Sequence, residues 1–385
     1  MRICLYTNTS LPKIGGQELV VDALGRQFTA MGHRVVVLAP WRHSQGPFDP
    51  ASVPYGVAWH PRFFSTRWCV AWYGRWLARL HRRERFDVVH CHGTYPVGYV
   101  AARCKAVERV PLVITSHGDD LAPLGPYDRK PVLRDRYRFA LERADAAVAI
   151  GSFTEEAYRA ACPRVRRIER IPNGVDLARF ALPVARPAGL NPAIQPGRYL
   201  LSIGRLETRK GVDVLLRSFA QAAKQCDDLR LVVAGRGPEQ ASLEALAAGL
   251  ELGGRVCFVG QAEGDVKTYL LQNGLCTVAA TRTWEAFPLV VLESYAAGRP
   301  VVGTQVPGLI DVIQPGRTGL LVPAEDVEAL TRALLQVAHQ RELPERWGAE
   351  ARRTAQDYDW RSIAGRHLAL FEDLVLTDPI PRPAG

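Results

Sequence analysis

The residue types best suited to chemistry lie at two places in the second half of the chain. In SIGRLETRKGVDVLLRSFA (202–220) an apolar run ends at Gly204, Arg205 follows, and Lys210 and Gly211 stand where a helical pattern begins. Two cations flanking a helix N-terminus act on the same oxygens as the helix dipole. At the carboxyl edge of a parallel sheet that combination suits a diphosphate, although as isolated residues both would be solvated surface charges. The loop is not a Walker P-loop, which needs G-x-x-x-x-G-K-[ST]. In ATRTWEAFPLVVLESYAAGRPVV (280–302), Glu285 and Glu293 stand eight residues apart, with Pro288 in the first turn of the intervening helix. Glu285 falls in the loop before that helix and Glu293 about a turn and a half inside it, so both can face one cleft and reach different parts of a ligand. A glutamate within VVLESYAA is costly to bury without a partner. Ribose or sugar hydroxyls would supply one; solvent would do so if Glu293 faced the surface.

The first half offers weaker signals. LPKIGGQELVVDAL (11–24) places Gly15 and Gly16 at a strand-to-helix turn, where paired glycines let a ligand approach the backbone and the helix N-terminus offers free N–H groups. A simple tight turn is the plainer reading. The spacing is not G-x-G-x-x-G and no acidic residue ends the second strand, so a dinucleotide fingerprint is absent. The one D-x-D, Asp357-Tyr358-Asp359, precedes a helical stretch and reads as its N-cap. The eight cysteines (4, 69, 91, 104, 162, 226, 257, 276) show no C-x-x-C or C…H spacing. No metal site and no disulfide framework are expected, and the pattern fits a reducing cytoplasm.

Two series of elements must position these residues. RICLYT (2–7), RVVVLAP (34–40), DVVHC (87–91), LVITSH (112–117) and AAVAIG (146–151) are nearly continuous apolar runs separated by helical patterns. A second series follows: RYLLSIG (198–204), LRLVVAG (229–235), RVCFVG (255–260), LCTVAA (275–280), PVVGT (300–304) and TGLLVP (318–323). Continuous apolar strands joined by helices indicate parallel sheets buried on both faces, here two doubly wound α/β domains in tandem. The Pro/Gly-rich stretch 183–197 between them has few apolar residues and reads as a linker. The expected division is therefore 1–182, a linker at 183–197, and 198–360, with 361–385 returning to the first domain.

Composition agrees with that division. The chain has 385 residues, 47% of them hydrophobic and 23% charged, which is ordinary globular composition for two or three domains. No run reaches the roughly 18–20 apolar residues of a membrane-spanning helix, and the N-terminus turns polar after four apolar residues, so neither a span nor a secretory signal is expected. The net charge of +10 is uneven: residues 1–175 hold 26 Lys and Arg against 15 Asp and Glu. Residues 59–86 carry four of the eight tryptophans, and Trp68, Trp72 and Trp76 recur every four residues beside Arg75, Arg79, Arg82 and Arg83. A helix over 66–86 with that pattern can lie on an anionic membrane surface; equally, its Trp face can be core. Nucleic acid is not expected, because no binding motif accompanies the charge.

Taken in order, the Gly15-Gly16 turn, HGDDL (117–121), IPNGVD (171–176), SIGRLETRKG (202–211), VAGRGPE (233–239), the E-x7-E element (285–293), PVVGT and TGLLVP give the chain a resemblance to the retaining glycosyltransferases of family 4. The resemblance covers nearly the whole chain, and the ending DYDWRSIAGRHLALFEDL (357–374) is similar to the family's last helices. It implies the GT-B fold, with two Rossmann-like domains facing a central cleft and a C-terminal helix crossing back to the first domain. It also implies metal-independent hexosyl transfer in glycan biosynthesis, from a UDP- or GDP-linked sugar to a saccharide or lipid-linked acceptor, by a cytoplasmic or inner-membrane-associated enzyme. Under it, Arg205 and Lys210 bind the diphosphate and offset the charge on the leaving nucleotide. Glu293 holds the ribose and Glu285 the sugar hydroxyls, with the amides of Phe287, Leu289 and Val290 near the phosphates. His117 lies under the sugar, Asp120 matches the family's acid, and Gly15 and Gly16 admit the donor phosphate. Ala286 and Pro288 stand where the family often has glycines. An inverting enzyme would need a general base, which His117 or Asp119 could supply; the resemblance favours retention, and no carboxylate is assigned as a covalent nucleophile. The alternatives are a same-fold epimerase or phosphorylase and a non-catalytic sugar-binding or membrane-associated protein.

Overall fold

A computed structural model describes residues 1–12, 15–41, 48–61, 66–118, 120–121, 130–340 and 342–377, with only the helical backbone described at 66–69. Asp119, the side chain of Trp68 and residues 378–385 of the expected C-terminal segment therefore lie outside the described residues. The chain divides into two compact units, one formed by Met1–Asn173 with the chain from Trp360 on, the other by Gly174–Asp359.

The first unit contains β1 (Arg2–Thr7), α1 (Gly16–Ala30), β2 (Arg34–Pro40), β3 (Gly56–His60), α2 (Thr66–Glu84), β4 (Val88–His92), α3 (Tyr99–Ala102), β5 (Leu112–Thr115), α4 (Pro131–Arg143), β6 (Ala146–Ala149), α5 (Ser152–Ala161) and β7 (Ile168–Arg170). Its seven strands run in the order β3-β2-β1-β4-β5-β6-β7. Every pairing is parallel, with Ile3 opposite both Val35 and Val88. Strands β4, β5 and β6 are buried along their whole length, as a sheet covered on both faces requires. The order reverses between β1 and β4, so the loops leaving these two strands part to opposite faces and open a crevice at the carboxyl edge.

The second unit contains α6 (Leu177–Ala181), β8 (Tyr199–Ile203), α7 (Val212–Ala223), β9 (Arg230–Ala234), α8 (Gln240–Gly249), β10 (Val256–Gly260), α9 (Gly264–Asn273), β11 (Cys276–Ala279), α10 (Leu289–Ala296), β12 (Val301–Thr304), β13 (Gly319–Val322), α11 (Val327–His339) and α12 (Glu342–Ala355). The strand order is β10-β9-β8-β11-β12-β13, again all parallel. Its switch point lies between β8 and β11, where Leu200 faces Leu231 on one side and Cys276 on the other. Residues of α7 and α11 pack on one face of this sheet, and residues of α9 and α10 on the other.

The last helix, α13 (Trp360–Leu376), belongs to the first unit. Its buried stripe of Ile363, Ala364, His367, Leu368, Leu370 and Phe371 is the cause. Phe371 meets Phe28 of α1 at 5.8 Å and His90 of β4 at 5.4 Å between ring centroids.

Two sequence expectations are placed differently. Residues 174–182 fall in the second unit, because Val175 and Phe180 are buried in its core. Residues 183–197 pack there too rather than forming a free linker. Ile194 is fully buried, and the Arg186 guanidinium donates to the carbonyls of Ile194 (2.7 Å) and Asn191 (2.8 Å). Ile194, with Leu190 and Ala193 packed against the same core, and an arginine saturating loop carbonyls do the work that apolar periodicity does elsewhere, which composition does not reveal.

Helix α2 buries one face and exposes another. The buried face is Tyr73, Leu77 and Leu80, spaced as a helix face requires. Trp72 is 40% exposed, and its ring stands 6.2 Å from that of the half-buried Trp76. Arg75, Arg79, Arg82 and Arg83 are exposed.

Candidate active site

In the second unit the loops after β8 and β11 meet at the switch point. The short turn Thr208–Lys210 leads into α7 through Gly211, whose φ of 63° lies in the left-handed region. A Cβ at Gly211 would stand 2.0 Å from the Ala280 carbonyl oxygen, so only glycine lets these two loops touch. The contact brings Lys210 Nζ to 2.5 Å from Glu285 Oε1, which also accepts from Thr281 Oγ1 at 2.8 Å. Arg209 approaches Glu285 Oε2 at 3.4 Å, donates to the Trp284 carbonyl at 2.8 Å and lies over the Trp284 ring at 4.6 Å. Burial pushes the Glu285 carboxyl up, but Lys210, Arg209 and the hydrogen bonds from Lys210 and Thr281 together hold it below its ordinary value. Pro307 and Gly308 brace the far side: Glu285 N–H donates to the Pro307 carbonyl at 2.9 Å, and a Cβ at Gly308 would stand 2.0 Å from the Glu285 carbonyl oxygen.

The structure thus joins Lys210 to Glu285 directly. Arg205 stands apart, 69% exposed, with its Nε at 2.8 Å from Glu207 Oε1. Helix α10 begins after Pro288 with no side-chain cap, leaving Leu289 and Val290 in an uncapped first turn. The Phe287 ring packs against Tyr358 at 6.1 Å. Glu293 pairs through Oε1 with Lys267 Nζ at 2.5 Å. Sequence reasoning missed Lys267, Arg209 and Thr281. Thr281 lies four residues before Glu285 and Arg209 is the neighbour of Lys210, so both fall within the segments that carry the site; Lys267 has no such local signal.

In the first unit the same edge carries Gly15, Gly16, His92 and His117. Gly15 is extended, with φ of −160°, and the Glu18 carboxylate lies beside it, 2.6 Å from where a Cβ would stand. Gly16 is the first residue of α1, and Gln17 next to it donates to Thr7 Oγ1 (2.9 Å) and the His92 carbonyl (2.7 Å). His117 Nε2 and His92 Nδ1 share a 2.9 Å hydrogen bond. Burial lowers His117 to about 4, so the imidazole is neutral at pH 7. Asp120 accepts from the Thr94 N–H at 2.6 Å and the His117 N–H at 3.1 Å, which makes it the brace of this loop. Burial raises its carboxyl above the ordinary value against those two bonds. Behind His92 the rings of His90 and His367 continue a buried histidine column, at 4.2 Å and 5.2 Å between successive centroids. Sequence reasoning missed His90, His92 and His367.

The cation–carboxylate cluster lies at the switch point of one doubly wound sheet and the glycines with a neutral histidine at that of another, the places where open α/β sheets bind ligands. The comparisons give the family. Residues 14–179 match the model of Glycosyltransferase Family 4 and residues 191–354 that of Glycosyl transferases group 1. N-acetyl-alpha-D-glucosaminyl L-malate synthase of Bacillus anthracis is 26% identical over 385 residues, covering 96% of this chain and 97% of that protein. GDP-mannose-dependent alpha-(1-6)-phosphatidylinositol monomannoside mannosyltransferase of Mycobacterium tuberculosis is 26% identical over 378 residues, covering 95% and 96%. Among solved structures, Anabaena HepE in complex with UDP-glucose superposes with a TM-score of 0.79 at 18% identity, covering 97% of this chain and 100% of that one. The chain belongs to glycosyltransferase family 4, with the GT-B fold, and is a glycosyltransferase. Such relatives do not favour an epimerase, a phosphorylase or a non-catalytic binder.

Proposed function

We propose that the enzyme transfers a hexosyl group from a nucleotide diphosphate sugar to a saccharide or lipid-linked acceptor, with retention of configuration and without a metal. The observation that carries this reading is the Lys210–Glu285 contact at the switch point of the second sheet. A fixed ammonium there, with Arg205 nearby in sequence and the uncapped first turn of α10, offers the departing diphosphate positive charge that needs no reorganisation. Glu285 is kept ionised by Lys210 and Arg209 and so accepts hydrogen bonds from sugar hydroxyls. Glu293 takes the ribose, and the backbone at Gly15 and Gly16 admits a phosphate. Neutral His117 contributes hydrogen bonding without charge. The names of the relatives support a nucleotide-sugar donor, linked to UDP or GDP, and the mannosyltransferase supports a lipid-linked acceptor. A thermal-shift and turnover screen with UDP-, GDP- and ADP-sugars tests the donor: one class should stabilise the chain and release its nucleotide diphosphate only when acceptor is added. Release without acceptor would point to hydrolysis instead, and conversion of the nucleotide sugar with no net release to epimerisation.

Metal independence is tested by chelation. Turnover should survive EDTA, because the cations that offset the leaving group are side chains; abolition with rescue by Mn²⁺ or Mg²⁺ contradicts the proposed mechanism.

The enzyme is also proposed to work at the inner face of an anionic membrane. The support is α2, whose exposed side combines Trp72 with Arg75, Arg79, Arg82 and Arg83; no described helix is long and apolar enough to cross a membrane. Each basic residue near such a surface contributes about 1 kcal/mol, enough in sum for reversible but not permanent attachment. Sedimentation with anionic vesicles should be strong at low salt, weaken as salt rises, and be lost in Arg75→Glu/Arg79→Glu/Arg82→Glu. Native protein that ignores anionic vesicles at low salt removes the membrane from the reading.

A further inference from the structure

Glu293 sits in the apolar helix α10 and is matched by a cation from another helix. Its Oε1 accepts a 2.5 Å hydrogen bond from Lys267 Nζ, and the two side chains keep only 13% and 17% exposure. At that depth each charge depends on the other. The pair is asymmetric, because among the described residues Glu293 Oε2 has no hydrogen-bond partner. Glu285 differs: Lys210 and Thr281 hold its Oε1 while Arg209 faces its Oε2. Lys267 is also placed at the edge where the donor loops lie. It is the fourth residue of α9, which starts just past the carboxyl end of β10. That end is tied to the β9 turn by the 2.6 Å bond from Gly235 N–H to the Gly260 carbonyl.

We propose that Lys267 is a positioning residue of the donor site. By holding Oε1 it orients the Glu293 carboxylate so that Oε2 accepts from the vicinal hydroxyls of a ribonucleoside. Lys267 then governs recognition of the 2′,3′-diol and not of the phosphates. The inference rests on the reading of Glu293 as the ribose-binding carboxylate. With Lys267 removed, the carboxylate loses both its compensating charge and its fixed rotamer, and the diol meets an acceptor that is no longer held in place.

The test is calorimetric binding to the full chain of UDP, GDP and ADP, each beside its 2′-deoxy counterpart, and of pyrophosphate. Native protein should bind its preferred ribonucleotide about tenfold more tightly than the deoxy form, the size of one hydrogen bond to a charged group. Lys267→Met should erase most of that preference and leave pyrophosphate binding unchanged, whereas Lys267→Arg should keep it. In turnover, Lys267→Met should raise the donor KM with kcat little changed. Lys267→Gln, read beside its melting temperature, separates loss of charge from loss of fold. A ribose preference that survives both Lys267→Met and Lys267→Gln, or pyrophosphate binding that weakens in parallel, overturns the role of Lys267. If native protein shows no ribose preference, or Glu293→Ala retains it, the ribose reading of Glu293 fails and takes the proposal with it.

Discussion

Lys210→Ala is expected to lower kcat/KM for glycosyl transfer by roughly 10²–10³, the usual cost of removing one preorganised group that meets developing charge. Two effects combine. The diphosphate loses an ammonium contact, and Glu285 is left buried with only Arg209, at 3.4 Å, to balance it. The second effect should also cost about 1–3 kcal/mol of stability, since Lys210 keeps 27% exposure and part of the pair is screened by solvent. Glu285→Gln removes the carboxylate while preserving shape, and should slow transfer with a smaller loss of stability. Because the two side chains touch, the double variant should fall well short of the sum of the singles. Steady-state kinetics and thermal melts on all four proteins read the coupling. Additive losses would mean that Lys210 and Glu285 act on separate parts of the ligand without depending on each other, and unchanged turnover in Lys210→Ala would remove it from the donor site.

A second large effect is expected in acid, and it should begin in the first unit. Burial holds His90 and His92 well below the ordinary imidazole range, His60 and His117 at about 4 and His367 at about 3. In the unfolded chain these rings take up protons near their ordinary value of about 6.5, whereas burial delays protonation in the folded chain, to about 4 for His60 and His117 and to about 3 for His367. Between those limits the unfolded form binds more protons, so stability falls as pH falls through that window. Each ring that stays neutral in the folded chain contributes up to about 1.4 kcal/mol per pH unit, so several such rings make the fall steep. Asp120, raised by burial, acts in the opposite sense, but it is one group against five. Carboxylates held low by cations, such as Glu285, lose their contribution only at lower pH. Denaturant midpoints followed from pH 7.5 to pH 5 should drop steeply, and hydrogen exchange should show β4, β5 and α13 opening before β8, β9 and β11. His367→Phe should flatten the slope by about one proton. Equal midpoints at pH 7 and pH 5 would show that the rings titrate normally in the folded protein.

Much of the architecture is written locally in the chain. Runs such as RVVVLAP and LRLVVAG are apolar without alternation, and only a strand covered on both faces tolerates that pattern, so two parallel sheets follow from the residues themselves. Ordered motifs along nearly the whole length place the chain in its family, and Glu285, Glu293, Arg205 and Lys210 stand out as charges at strand ends or inside an apolar helix. Each of these signals operates within a few residues.

What the sequence alone could not determine is how those charges pair. Lys210 and Glu285 are 75 positions apart and Lys267 and Glu293 are 26 apart. Their contacts exist because the strand order sets β8 beside β11 and because α9 and α10 cover the same face. The missing partner of Glu293 could be read from sequence as ribose, and the fold supplies Lys267 as well. The histidine column likewise joins two residues of β4 to one on the loop after β5 and one on α13, and only the return of that last helix brings His367 to His90. Residues 183–197 show the same limit from the other side, since an arginine that saturates loop carbonyls leaves no period in the sequence. Secondary structure follows from short-range backbone preference and apolar periodicity, which a chain displays openly. Side-chain pairing follows from topology, which becomes defined only when the strands have taken their order.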